Sequence, residues 1–396
     1  MNAMDLLSQS DMNKVRITNI KAMQIQWAGQ TLVKVETDSG LYGIGEAGAA
    51  GPVVRANIQV LKPLLIGADP LAIDRLFNTM VSQMHTYRAH IPTVSGIDIA
   101  LWDLAGKILN RPVCELLSGK YRDSITFYYT GGPQNPFDRT SCQEWAQQMK
   151  EHPEGYKTFK CGGIDPEWIY PGFVLQKTPM SNTLSPAQLR IVRKANENMR
   201  EALGFDYDII MHAHGEWDLP TAIRFAQVVE AIEPLWIEDM MPTWYIESWK
   251  QYKQASRVPV ITGEKMELLR EFRPFIVSGA LDAVHPDLCF SGGITGCRQI
   301  AQFAELYHLP VGLHNVGSIV QNLANAHFGA SVRNFIMSET RMYTYASTLP
   351  QLKEMNEDEL KIVDGQLAVP TKPGLGLTLN TKALRSCLVD GEPYWD

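Results

Sequence analysis

No stretch of this chain is apolar for long enough to cross a bilayer. Its six cysteines, Cys114, Cys142, Cys161, Cys289, Cys297 and Cys387, are scattered and form no C-x-x-C. That spacing argues against a disulfide framework and fits reduced thiols. Positive charge is in short supply: 36 Lys and Arg stand against 43 Asp and Glu, for a net charge of -7. Nothing in that balance recommends nucleic acid as a partner. The opening residues, MNAMDLLSQSDMNKVRITNI, lack the basic, apolar and small-residue regions of a signal peptide. Tandem repeats and low-complexity tracts are missing too. These absences give the expectation of a cytoplasmic protein that uses neither nucleic acid nor membrane.

What is present is ordinary globular material, 45% hydrophobic and 20% charged over 396 residues, room for one large domain or two ordinary ones. Residues 1–13 read as a loose leader. VRITNIKAMQIQ and TLVKVETDSGLYGIGEAG then read as strands, the second folded over a turn at Asp38-Ser39-Gly40. In SGIDIALWDLAGKIL, Ile97, Leu101, Leu104 and Ile108 fall on one helical stripe, and Pro112 marks its end.

From about residue 125 short apolar strands alternate with amphipathic helices. The strands are ITFYY, YKTFK, DIIMH, LWIED, VPVIT, DAVHPD, LPVGLH and NFIMSE. Ser185, Pro186 and Gly204 punctuate one intervening helix, and Ala222, Phe225, Ala226 and Val229 form the buried stripe of the next. Eight such units predict an α/β fold with a closed (β/α)8 TIM-type barrel, behind a separate N-terminal region of strands and helices. An open doubly wound sheet is the competitor, but no G-x-G-x-x-G follows a strand. The expected division is an N-terminal domain over 14–124, a barrel over 125–365, and a Gly/Pro-rich segment over 366–396 that returns to the N-terminal domain.

In such a barrel the chemistry gathers at the C-terminal strand ends. From the second strand onward these ends carry Lys160, then His212 and His214, Glu238, Glu264, Asp287, His314 and Glu339. His212 and Glu238 are 26 residues apart, Glu238 and Glu264 another 26, then 23 to Asp287 and 27 to His314. Each step is about one β/α unit, so these groups converge. Left unpaired, so many ionisable groups at one mouth would be costly. His285, just before Pro286, reads as barrel interior. His212 and His214, two apart at a strand end, read as metal ligands, an acid/base pair or packing.

The helix text IDIALWDLAGKILNRPVCELLSG, followed in order by WIED, ITGEK, HPDLCFSGGITGCRQIA and KPGLG, resembles the enolase superfamily. The pattern is nearest to its mandelate racemase/muconate lactonizing enzyme-like members, and among those to acid-sugar dehydratases of the mannonate/galactonate type. The resemblance implies a modified (β/α)8 barrel with an α+β N-terminal capping domain, whose loops, here Gln26 to Gln30 and AGAAGPVV, close over the substrate. His85, His90, His152, His308 and His327 read as surface or packed residues, with a reach of His85 and Arg88 in HTYRAHIP into the pocket from the capping domain as the lesser alternative. It implies a divalent metal, Mg²⁺ in the family, that stabilises an enolate formed by removing the proton α to a carboxylate. Glu238 and Glu264 match metal-ligand positions. Asp287 and His314 match an Asp-His dyad, with His314 the general base and Asp287 its orienter. Glu339 matches a position near the substrate carboxylate or the enediolate.

Two positions depart from the resemblance. Lys160 fits the first lysine of a Lys-x-Lys motif, but Gly162 stands where the second would be, which leaves one face without its usual base and argues against racemisation, which needs a base on each face. Lys160 itself is read as a partner of the metal carboxylates, a contact to a substrate oxygen, or a neutraliser of the site. His212 stands at the position of a metal-binding Asp; a His-Glu-Glu site suits Mn²⁺, Zn²⁺ or Fe²⁺ better than Mg²⁺. His214 matches a histidine that acts as an acid on a departing hydroxyl; a second metal ligand or a stacking group is the other reading.

The resulting expectation is a lyase, an acid-sugar dehydratase that makes a 2-keto-3-deoxy acid from a small-molecule sugar acid, assembled as a homo-oligomer, dimer or octamer. Its rivals are a binding homologue impaired by the changes at His212 and Gly162, and a zinc hydrolase built on His-x-His. The hydrolase reading suffers because that motif usually sits on a first strand, and here it ends the third.

Overall fold

The computed structural model describes residues 15–82, 89–174, 177–341 and 350–395. The expected leader, residues 1–13, and the pair His85 and Arg88 lie outside these residues. The N-terminal part opens with a three-stranded antiparallel sheet of β1 (Ile17–Gln24), β2 (Thr31–Thr37) and β3 (Tyr42–Ala47). Helix Ile91–Leu109 packs across it. The approach is close because β3 carries glycines. A Cβ on Gly43 would stand 1.9 Å from the Ala100 carbonyl oxygen, and one on Gly45 would stand 2.1 Å from that of Gly96. Ile97, Leu101 and Leu104 are buried as their spacing predicts, while Ile108 is only half-buried where the helix runs out. Asn110 ends that helix in the left-handed region, with Pro112 beyond.

The remainder is the expected barrel. Its eight parallel strands are β4 (Ser124–Thr130), β5 (Thr158–Gly162), β6 (Asp208–His212), β7 (Trp236–Glu238), β8 (Val260–Thr262), β9 (Ala283–Val284), β10 (Val311–Leu313) and β11 (Phe335–Thr340). They pair in chain order, and β11 closes on β4. Tyr128, Ile210, Trp236, Ile261 and Ala283 fill the barrel interior. The sixth strand is shorter than DAVHPD foretells. The regular strand ends at Val284; beyond it the His285 N–H still donates to the Thr262 carbonyl at 3.2 Å, and Pro286, with no N–H to donate, only accepts, from the His314 N–H at 3.1 Å.

Two kinds of cap start the barrel helices. Ser185 and Gln188 form a reciprocal capping box on Pro186–Leu203. Two other helices are capped from the N-terminal domain. Asp98 accepts from the Thr295 backbone N–H at 2.9 Å and its hydroxyl at 2.6 Å, inside the first turn of Gly293–Glu305. Glu46 accepts from the Ser318 N–H and hydroxyl, each at 2.7 Å, and from the Gln321 N–H at 3.1 Å, at the start of Ile319–Ser331.

The C-terminal segment pairs Gln366–Ala368 antiparallel with β4 and then runs to the N-terminal domain. There the Leu375 N–H donates to Asp103 at 2.9 Å, and the Val389 N–H donates to the Gln24 carbonyl at 3.2 Å. All six cysteines are free and buried.

Candidate active site

Alternation along the strands sets the site. On β5, Phe159 and Cys161 turn to the outer core, which leaves Lys160 between them facing the mouth, 4% exposed. Its ammonium lies 2.7 Å from Glu238 and 2.9 Å from Glu339. Burial works against that charge, but Glu238, Glu339 and Glu264 outweigh it and hold the group well above the usual lysine range. Glu339 also accepts from the Thr130 hydroxyl and the Asn315 N–H. Burial again opposes ionisation, yet Lys160 and His314 keep this carboxyl well below its ordinary value.

The expected dyad is formed. His314 Nδ1 meets Asp287 Oδ2 at 2.7 Å. Asp287 further accepts from the Cys289 N–H at 2.6 Å and from Gln321 Nε2 at 2.7 Å. His314 Nε2 faces Glu264 at 3.3 Å and Glu339 at 3.8 Å. Burial pulls the imidazole down, but Glu264, Asp287 and Glu339 prevail and push it up to about 9.

His212 ends β6, in register with Gly162 and Glu238 on the neighbouring strands. Burial, reinforced by Lys160 and His214, drives its pKa well below the usual range, so the ring is neutral and free to act as a donor ligand. His214 lies past the strand, in the loop. Its side chain is 58% exposed, its Nδ1 is 3.4 Å from Glu216, and that partner raises its pKa. The two rings meet edge to face at 4.9 Å. A cleft of about 290 Å³ opens beside His214, lined by Asp239, Trp244 and Lys265 among others. The turn of the capping domain reaches the same mouth, where Trp27 Nε1 donates to the Val316 carbonyl at 2.8 Å.

His212, Glu238 and Glu264 are not drawn into one tight group. Glu238 is engaged by Lys160, and Glu264 is turned toward His314 and Lys265. Among the described residues, the His, Cys, Asp and Glu atoms that gather within 4.8 Å of one another are those of Glu238, Asp239 and His285. This set suits a divalent cation. Asp239 Oδ2 and His285 Nδ1 are buried and have no hydrogen-bond partner among the described residues, and His285 Nδ1 stands 3.8 Å from Glu238 Oε2. Nε2 of His285 is committed to the Tyr128 hydroxyl at 3.0 Å. Sequence reasoning missed Asp239 and kept His285 only as interior. The signal was the Asp that directly follows Glu238 in WIED, and the two-residue step from His285 to Asp287 along one strand.

Gly162 has a reason as well. A Cβ there would stand 1.7 Å from Asp165 Oδ2. The space in which a second lysine would begin is filled by a carboxylate, itself pushed up to about 7 by burial and by Glu167.

Known proteins resemble this chain in sequence and fold. Residues 142–383 match the family profile of the enolase C-terminal domain-like fold, and residues 8–118 match that of the mandelate racemase/muconate lactonizing enzyme N-terminal domain. A D-xylonate dehydratase from Haloferax volcanii is 31% identical, over 92% of this chain and 87% of that one. A D-galactonate dehydratase from Xanthomonas oryzae is 30% identical, over 92% of each. The crystal structure of a mandelate racemase/muconate lactonizing enzyme-like protein from Rubrobacter xylanophilus superposes with a TM-score of 0.88 at 27% identity, over 97% of this chain and all 100% of that one. With both halves of the chain matched in order, the protein belongs to the enolase superfamily, as a member of its mandelate racemase/muconate lactonizing enzyme branch.

Proposed function

We propose that this protein is a lyase that dehydrates a sugar acid. The observation that carries the reading is the buried Asp287–His314 pair, with His314 Nε2 facing Glu264 and Glu339 at the barrel mouth. Its relatives named for D-xylonate, D-gluconate and D-galactonate dehydration support the substrate class.

In this mechanism Asp287 holds the Nδ1 proton; the carboxylates that push the imidazole up to about 9 make it a strong base, and the form that has lost its Nε2 proton takes the proton α to the substrate carboxylate. The C–H electron pair moves into an enediolate, and Lys160 supplies fixed positive charge against it. The β C–O bond then breaks. His214, which lies at the mouth and carries a raised pKa, protonates the leaving hydroxyl, and water departs. The enol tautomerises to a 2-keto-3-deoxy acid. Glu238 with Asp239 and His285 would hold a divalent cation. Glu238 with His212 and Glu264, the set the family resemblance implies, would do so only after rearrangement. When bound, such a cation adds positive charge against the carboxylates and the enediolate. Only one face needs a base here, which agrees with a glycine at 162. The same fact disfavours 1,1-proton transfer.

The test is incubation of the metal-supplemented protein with a panel of aldonic and aldaric acids, with detection of 2-keto-3-deoxy acid. One or more acids should react, and His314→Asn should abolish the product. Binding of an acid without product from any of them would leave the impaired binding homologue as the reading.

A further inference from the structure

Asp287 orients His314, but something must orient Asp287. Its Oδ1 accepts from Gln321 Nε2 at 2.7 Å. Gln321 is fully buried in the first turn of helix Ile319–Ser331. Its other amide atom, Oε1, is buried with no hydrogen-bond partner among the described residues. An unsatisfied buried carbonyl costs free energy, and folds rarely keep one without a return. Here the return is direction. Were the amide turned over, its oxygen would face the oxygen of Asp287. The backbone helps fix the choice, because a Cβ on Gly317 would stand 2.0 Å from Gln321 Oε1. Only glycine leaves room for the amide as it lies.

The same helix turn is held from the other domain. The Gln321 N–H donates to Glu46 Oε2 at 3.1 Å, and Ser318 donates to Glu46 twice. Glu46 sits on β3, two residues before Gly48, whose N–H donates to the Cys289 carbonyl at 3.1 Å. The Cys289 N–H in turn donates to Asp287 Oδ1 at 2.6 Å. The capping domain therefore touches the dyad along two short paths that meet at one carboxylate oxygen.

We propose that Gln321 is a positioning residue for the Asp287–His314 dyad, and that Glu46 of the capping domain sets its place. The proposal rests on His314 as the proton-abstracting group. Positioning of this kind governs rate through sub-ångström geometry.

Gln321→Met keeps the shape and removes the donor. Gly317→Ala keeps the donor and displaces it. Each is expected to lower kcat on the order of 100-fold with KM within about twofold, and the double variant should lose little more than either alone. In histidine-labelled protein at one fixed pH, the hydrogen-bonded Nδ1 proton of His314 should shift and exchange faster in both variants. An unchanged resonance in folded Gln321→Met, or in folded Gly317→Ala where the first does not fold, overturns the proposal. So does independent, additive loss in the double variant. If the wild type dehydrates no sugar acid, the proposed function fails, while the resonance still decides whether Gln321 positions the dyad.

Discussion

Gly162 illustrates how much one side chain can decide. Nothing in its own conformation demands glycine; Asp165 does, by filling the space above it. Gly162→Ala should therefore destabilise the protein by about 1–3 kcal/mol, as overpacking does, and Asp165→Gly in the same chain should recover most of that loss in urea unfolding. Equal destabilisation with and without Asp165 would mean that the strand, not the carboxylate, excludes the side chain. The carboxylates make a second prediction at this scale. Glu238, Asp239, Glu264, Asp287 and Glu339 converge against Lys160, His314 and the half-exposed Lys265. Such a balance favours a bound cation. Asp239→Asn and His285→Gln should each weaken Mn²⁺ binding by about 10–100-fold in calorimetric titration, with His212→Gln changing it less. The reverse ranking would put the ion at His212 and Glu264. Ionisable groups at strand ends were legible because each repeats at the length of one β/α unit. Asp239, Gln321 and the second role of His285 were not, since each acts through a partner distant in sequence.

At the level of elements, helices Gly293–Glu305 and Ile319–Ser331 begin on acids borrowed from another domain. Burial pushes Asp98 and Glu46 each up to about 7, against the hydrogen bonds they accept. The sign follows from linkage. Both acids have folded pKa values above their unfolded ones, so their contribution is complete in acid and is lost as pH rises through about 7. Stability should fall between about pH 4 and pH 7, by no more than about 4 kcal/mol per group. Thermal unfolding across that range measures it, and Glu46→Gln with Asp98→Asn should flatten the profile. A flat wild-type profile would defeat the idea. These caps escaped sequence reasoning for a physical reason. Ser185 and Gln188 are three residues apart and announce a capping box, whereas Asp98 and Thr295 lie in different domains.

For the whole molecule, the alternation of short strands and helices was enough to foresee eight barrel strands in chain order, because each apolar run must find a neighbour and each helix must cover it. The closeness of the domains was harder to foresee. It depends on the missing Cβ atoms of Gly48 and Gly293, which would stand 2.5 Å from the Phe290 ring and 2.4 Å from Asp98 Oδ2, and on the path of the tail, whose Leu375 N–H ends on Asp103.

The six buried thiols also turn the chain into its own recorder of motion. A thiol shielded from solvent reacts with an alkylating reagent only when its surroundings open, so six cysteines spread over both domains report six separate openings. Cys387, at the end of the short tail helix, should label first under native conditions, and Cys161, inside a strand paired on both sides, should label last. Mass spectrometry of timed alkylation would read that order. Simultaneous labelling of all six would show that the molecule opens only as a whole.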